Sequence, residues 1–175
     1  MRLAHTEFLY CIKPVPVAVI RSKLYSMQLI PIDIDETRNL KFRGNPECIA
    51  VLDVYPDYYR KVGFNKPWIG YFATMDGNEI MGTAGYKGKP KNGKVEIAYG
   101  TFKKYEGRGI GTEICRQLVL LALQSDPDVR ITARTLQDGH ASMAILKKNG
   151  FECMGIVWDE EDGDVLEWEL PKNGR

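Results

Sequence analysis

The sequence predicts a mixed α/β domain with a central, mostly antiparallel sheet flanked by helices. Three observations carry this reading. Apolar residues alternate at strand period over 68–102 and then switch to helical spacing from Gly109 onward. A turn with glycines at alternate positions, Gly107, Gly109 and Gly111, stands where the period switches. A second helix pattern stops at Gly150-Phe151 and is followed by a closing hairpin.

Taken in order, residues 7–12 suggest a short helix and 14–16 an extended piece. Residues 24–32 alternate enough for a strand, and Asp33, Asp35 and Glu36 open a short helical stretch. The segment 41–68 reads as irregular, because Gly44-Asn45-Pro46, Tyr55-Pro56-Asp57 and Pro67-Trp68 are rich in turn formers and aromatics. Residues 68–75 and 80–86 form a hairpin across Asp76-Gly77-Asn78, since Asp-Gly suits the positive-φ positions of a tight turn. A second turn at 88–93 leads to a strand over 94–102, which makes a three-stranded antiparallel meander. Ile110, Ile114, Cys115, Leu118, Val119, Leu121 and Ala122 then share one helix face, and Ser125-Asp126-Pro127 stops the helix. Residues 129–135 alternate as a half-buried strand, 141–149 form a helix, and 152–158 with 164–170 close the chain as a hairpin across Glu161-Asp162-Gly163.

Bulk properties narrow the function. The chain has 175 residues, enough for one domain with a real core. Lys and Arg number 24 against 23 Asp and Glu, so the basic excess usual in nucleic-acid binders is missing and no nucleic-acid partner is expected. No apolar stretch approaches a membrane span, the N-terminal apolar run is interrupted by Pro16, and no membrane partner or signal peptide is expected. The four cysteines, Cys11, Cys48, Cys115 and Cys153, are scattered, and the only histidines are His5 and His140. That composition reads as reduced thiols in a cytoplasmic protein and predicts no metal site.

The glycine turn carries the chemistry. A strand feeding a glycine turn that opens a helix gathers bare backbone N–H groups and the positive end of a helix dipole at one point, an anion site suited to a pyrophosphate. The spacing Gly-x-Gly-x-Gly and the late position behind a meander argue against a dinucleotide fingerprint, and no Gly-Lys-Ser/Thr follows to make a Walker loop.

The run Glu106-Gly107-Arg108-Gly109-Ile110-Gly111 resembles the Arg/Gln-x-x-Gly-x-Gly/Ala loop of the GCN5-related N-acetyltransferase (GNAT) superfamily. The run 141–151, Ala-Ser-Met-Ala-Ile-Leu-Lys-Lys-Asn-Gly-Phe, resembles that family's second cofactor motif. Val95-Glu96-Ile97-Ala98-Tyr99 is similar to the branch that includes ribosomal-protein alanine acetyltransferases. The likeness covers 68–170. It implies a GNAT fold over 1–175 as a single domain, with 1–22 as an N-terminal extension, and splayed strands that hold acetyl-CoA as co-substrate. A small-molecule amine or a peptide N-terminus is the implied acceptor, and a monomer or homodimer the implied assembly.

The resemblance also assigns roles. Backbone amides from Arg108 to Thr112, with Gly107, Gly109, Ile110 and Gly111, hold pyrophosphate, and Arg108 adds charge. The backbone of Tyr99 and Thr101 pairs with pantetheine, Ser142 closes the other side, and Lys147 or Lys148 either reaches the adenosine phosphates or is solvated surface. Glu96 stands at the position of a general base, with a structural or orienting carboxylate as the equal alternative. Glu106 departs from the usual Arg or Gln, so its backbone rather than its side chain is expected to serve. His140 precedes the motif, as a pantetheine contact, a helix N-terminal cap or plain surface. Leu146 occupies the place of the common tyrosine acid, which leaves Ser142, Tyr99 or solvent as the proton source, or a thiolate that departs unprotonated. Cys115, on an apolar face, and Cys153, in a strand, are poor nucleophiles, so direct attack in a ternary complex is expected. Tyr55, Tyr58, Tyr59 and Trp68 are read either as an aromatic wall for the acceptor or as core.

Overall fold

A computed structural model describes residues 27–172. The expected elements over 7–12 and 14–16, the start of the 24–32 strand and the N-terminal extension lie outside these residues. Seven strands form one sheet in the order β1-β2-β3-β4-β5-β7-β6. The strands are β1 (Gln28–Pro31), β2 (Gly70–Thr74), β3 (Ile80–Tyr86), β4 (Lys94–Thr101), β5 (Arg130–Leu136), β6 (Glu152–Asp159) and β7 (Gly163–Glu169). Every neighbouring pair is antiparallel except β4 with β5. The α-helices among the described residues are α1 (Pro46–Val62), α2 (Ile110–Ser125) and α3 (His140–Lys148).

The local signals account for most of these elements. Asp35 caps a 3-10 segment over Glu36–Phe42 by accepting from the Thr37 amide. Helix α2 buries Ile114, Cys115, Leu118 and Ala122, the face its spacing predicts. At the end of α3, Gly150 takes φ 83°, its N–H donates to the Lys147 carbonyl, and the Phe151 N–H donates to the Leu146 carbonyl. These two hydrogen bonds close the helix as a glycine cap, and Phe151 is buried as its apolar latch.

The expectation for 41–68 is corrected. Residues 46–62 form α1, with Asn45 as N-cap accepting from the Glu47 amide, Pro46 at the first turn and Gly63 closing the end at φ 85°. Asn-Pro here is a helix start rather than a turn. Pro56 lies inside the helix and deprives the Leu52 carbonyl of its N–H partner. Burial of Cys48, Leu52 and Tyr59 outweighs that cost.

Helices α2 and α3 cover one face of the sheet, where Ile97, Ile131, Leu118, Leu146 and Trp168 share a core. Helix α1 covers the other face over the β1–β3 half, with Phe42, Cys48, Leu52, Phe72 and Phe102 packed together. Within the aromatic cluster Tyr59 belongs to the core, Tyr55 and Trp68 are half-buried against it, and Tyr58 is half-buried near Glu96. Tyr55 lies against Gly70, where any β-carbon would fall 2.1 Å from its ring. Tyr59 is 4% exposed, and its hydroxyl donates to the Ile32 carbonyl at 2.8 Å while accepting from the Gly70 amide at 3.1 Å.

Removing that hydroxyl strands two buried backbone groups. Tyr59→Phe is expected to lower unfolding stability by about 1–3 kcal/mol, read as a fall in the urea midpoint without a change in slope. An unchanged midpoint would show that the hydroxyl is not the bridge.

Candidate active site

Strands β4 and β5 pair in register from Lys94↔Arg130 to Ile97↔Ala133 and no further. Beyond that point β4 stays with β3 through Gly82↔Thr101, while β5 continues with β7 through Leu136↔Val165. A gap opens between them. Backbone groups of a strand face alternate sides. The Glu96 carbonyl and Phe102 amide bond toward β3, so the backbone groups of Tyr99 and Thr101 face the gap.

The glycine turn lies at the wide end of this gap. Gly107 and Gly109 take φ 71° and 80°, conformations that glycine adopts without a β-carbon clash. Among the described residues the amides of 107–112 donate to no protein acceptor, and no side chain caps the helix. Gly111 lets α2 approach its neighbours: a β-carbon there would fall 2.7 Å from Ile145 Cδ1 and 3.0 Å from Thr101 Oγ1. Asn149 Nδ2 donates to the Thr112 carbonyl at 3.2 Å, which ties the end of α3 to the start of α2. Arg108 is exposed, with its guanidinium 5.9 Å from the Tyr105 ring centre.

A cleft of about 490 Å³ fills the space between the turn, β4 and α3. Its lining includes Tyr99, Thr101, Glu106, Gly107, Gly109, Ile110, Gly111, Thr112, Ser142 and Lys148. Lys148 is therefore at the cleft, whereas Lys147 lies over the Trp168 ring at 6.0 Å. Glu106 sits exposed at the rim. His140 begins α3, is exposed and lines neither this cleft nor the next. Leu146 is 0% exposed and belongs to the core, so Ile145 rather than Leu146 faces the cleft.

A second cleft of about 260 Å³ adjoins the first, and Tyr99 and Ser142 line both. The Tyr99 hydroxyl donates to the Ser142 carbonyl at 3.4 Å, which holds the first turn of α3 across the gap. Burial, with Cys115 beside it, pushes the Tyr99 phenol well above its usual range. Burial also pushes the Cys115 thiol up to about 12, which removes it as a nucleophile at neutral pH.

Glu96 lines the second cleft and is held by two cations. Lys87 Nζ is 2.9 Å from Glu96 Oε1, and Arg134 Nε is 3.6 Å from Glu96 Oε2. Arg134 Nη1 donates to Asp159 Oδ2 at 2.7 Å, while its buried Nε has no hydrogen-bond partner. Asp159 also accepts from the Glu161 and Asp162 amides. Those amides and the Arg134 guanidinium lower its carboxyl to about 2. Tyr58 stands close by, its hydroxyl donating to the Tyr86 carbonyl at 2.9 Å. Burial first, then Glu96, pushes its phenol up to about 12.

Lys87, Arg134, Asp159 and Asp162 belong to no motif in the sequence. Arg134 falls on the polar side of the alternating 129–135 strand, and Asp159 to Asp164 surround the turn of the closing hairpin. That run places five carboxylates in six residues, a signal present in the sequence.

The strand order, the parting of β4 from β5 and the glycine turn between them define the GNAT class of fold. The chain belongs to this family: the profile described as Acetyltransferase (GNAT) domain matches residues 31–152. A curated relative, the uncharacterized N-acetyltransferase YjdG of Bacillus subtilis (strain 168), is 37% identical over 90 residues, 51% of this chain. That alignment spans 52% of the relative, about half of its length. Solved structures share the fold at low identity. A spermidine N-acetyltransferase SpeG chimera from Vibrio cholerae and hSSAT superposes with TM-score 0.62 at 10% identity, covering 85% of this chain and 96% of the chimera. RimL, a ribosomal L7/L12 alpha-N-protein acetyltransferase solved with coenzyme A, gives 0.61 at 15%, covering 86% and 96%. The aminoglycoside acetyltransferase AAC(6')-Ib, solved with coenzyme A and kanamycin, gives 0.64 at 18%, covering 85% and 96%. No helix among the described residues is long and apolar enough to cross a membrane.

The Asp159 network has a pH signature. Its carboxyl titrates lower in the folded chain than the roughly 3.9 of an unfolded one, so its contribution is complete above about pH 4 and is lost as pH falls toward 2. Asp159→Asn is expected to be less stable than the parent in urea at neutral pH, with the difference narrowing as pH is lowered through that window. A difference that does not change with pH would sink this account.

Proposed function

We propose that the protein transfers an acetyl group from acetyl-CoA to a primary amine by direct attack in a ternary complex. The observation that carries this reading is the meeting of two clefts at Tyr99 and Ser142, one floored by unpaired amides and the other holding Glu96. The free amides of 107–112 receive the pyrophosphate, with Arg108 and Lys148 adding positive charge. The gap-facing backbone of Tyr99 and Thr101 takes pantetheine as an extra strand, and an N–H on this edge holds the thioester oxygen as negative charge develops. Glu96 draws the acceptor ammonium and takes its proton. Ser142 is the hydroxyl at the junction for the departing thiolate. The half-buried Tyr99 phenol, raised above its usual range and turned to a carbonyl, is the weaker proton donor.

The carboxylates of 159–164 favour an acceptor that carries positive charge, whether a small-molecule amine or a basic peptide N-terminus. A non-catalytic acyl-CoA sensor is the rival, favoured by one observation: Leu146, at the place of the common acid, is sealed in the core.

Release of free thiol from acetyl-CoA against polyamines, amino acids, aminoglycosides and short peptides tests the reading. Turnover that depends on one acceptor is expected, whereas coenzyme A binding without acceptor-dependent release across the panel favours the sensor. Glu96→Gln is expected to cut turnover by about 10²–10⁴-fold while leaving coenzyme A affinity, read by calorimetry, unchanged. Unaltered turnover would remove Glu96 as the base.

A further inference from the structure

We propose that Lys87 is itself an acetyl acceptor, so that the protein acetylates its own acceptor cleft. The inference rests on the acetyl-transfer reading above and adds a modification site to it. Lys87 follows β3 directly, and its backbone N–H donates to the Glu96 carbonyl at 2.9 Å. Its side chain then turns into the second cleft, where Nζ sits 2.9 Å from Glu96 Oε1. A primary amine belonging to the chain thus occupies the carboxylate that the acceptor ammonium must reach.

Its place separates this lysine from Lys89, Lys91 and Lys148. Glu96 is 18% exposed and Lys87 42%, so the carboxylate is the more enclosed partner and the flexible four-carbon stem the more accessible one. The cleft they share opens onto the cofactor cleft at Tyr99 and Ser142. Lys89 and Lys91 are exposed and line neither cleft, and Lys148 lines the cofactor cleft beside the glycine turn, at its phosphate end.

The step balances without another reactant. Glu96 takes one proton from the Lys87 ammonium and releases it to solvent. The Nζ lone pair forms a bond to the thioester carbonyl carbon, and the carbon–sulfur bond breaks. A second proton goes to the leaving thiolate, and the third remains on the new amide nitrogen. The products are coenzyme A with a free thiol and N-acetylated Lys87. Acetylation removes the charge of Lys87, which leaves Arg134 as the cation facing Glu96.

The test incubates the full chain with acetyl-CoA and no added amine, followed by peptide mass mapping over time. Lys87 is expected to gain an acetyl group at least about tenfold faster than Lys89 or Lys91, at a first-order rate independent of protein concentration. Glu96→Gln is expected to abolish that advantage, about 100-fold in rate, while exposed lysines keep their slow background. Coenzyme A binding by the variant shows that it is folded. Lys87→Arg supplies a second readout, losing the fast acetyl increment without gaining one elsewhere. Acetylation of Lys87 at the rate of Lys89, preferential acetylation of Lys148, or a rate proportional to protein concentration each overturns the proposal. Parallel thiol release with an amine from the panel separates the two readings. Release with Lys87 unmodified defeats this inference alone, and neither release nor modification defeats both.

Discussion

The whole site depends on where β4 and β5 stop pairing. Their hydrogen bonds run only as far as Ile97↔Ala133, after which each strand keeps its other partner. A continuous sheet would satisfy more backbone groups, so the opening must be held by something else. The Tyr99 hydroxyl on the Ser142 carbonyl and the Asn149 amide on the Thr112 carbonyl pin α3 across it. The unpaired groups left along Tyr99 and Thr101 form an interior strand edge, a place where an extended polar chain can complete the sheet.

That opening joins the two faces of the molecule. Helices α2 and α3 cover one face completely enough to build a core, whereas α1 covers only the β1–β3 half of the other. The uncovered part, over β4, β5 and β7, holds Glu96, Arg134 and Val165. The amides of the glycine turn therefore lie on one side of the gap and a caged carboxylate on the other, and under the proposed function nucleotide and acceptor would meet only at the gap, with the nucleotide kept away from the carboxylates of 159–164.

The elements with local causes were legible in the sequence. The Asp76-Gly77 turn, the helical face of α2 and the Gly150-Phe151 stop each depend on neighbours a few residues away, and each formed as expected. The loop 107–112 was legible for the same reason, and its free amides follow from a helix with a glycine N-cap. Helix α1 was not legible, because Asn45-Pro46 and Pro56 carry the same residues as a turn, and only burial against the sheet decides between the two. The cage around Glu96 was hidden for a different reason. It needs the Glu96↔Thr132 register, which brings Arg134 within reach, and a parallel pairing joined by a helix leaves no turn signature from which to read register.

The order of strands in the sheet also bears on synthesis. β4 and the glycine turn leave the ribosome well before β6 and β7, yet Asp162 and Val165 of that last hairpin line the cleft around Glu96. β7 is also the strand that draws β5 away from β4. The same strand supplies Trp168 to the core under α2 and α3, so the cleft around Glu96 and the core beneath the glycine turn are both completed by the last segment of the chain to be made.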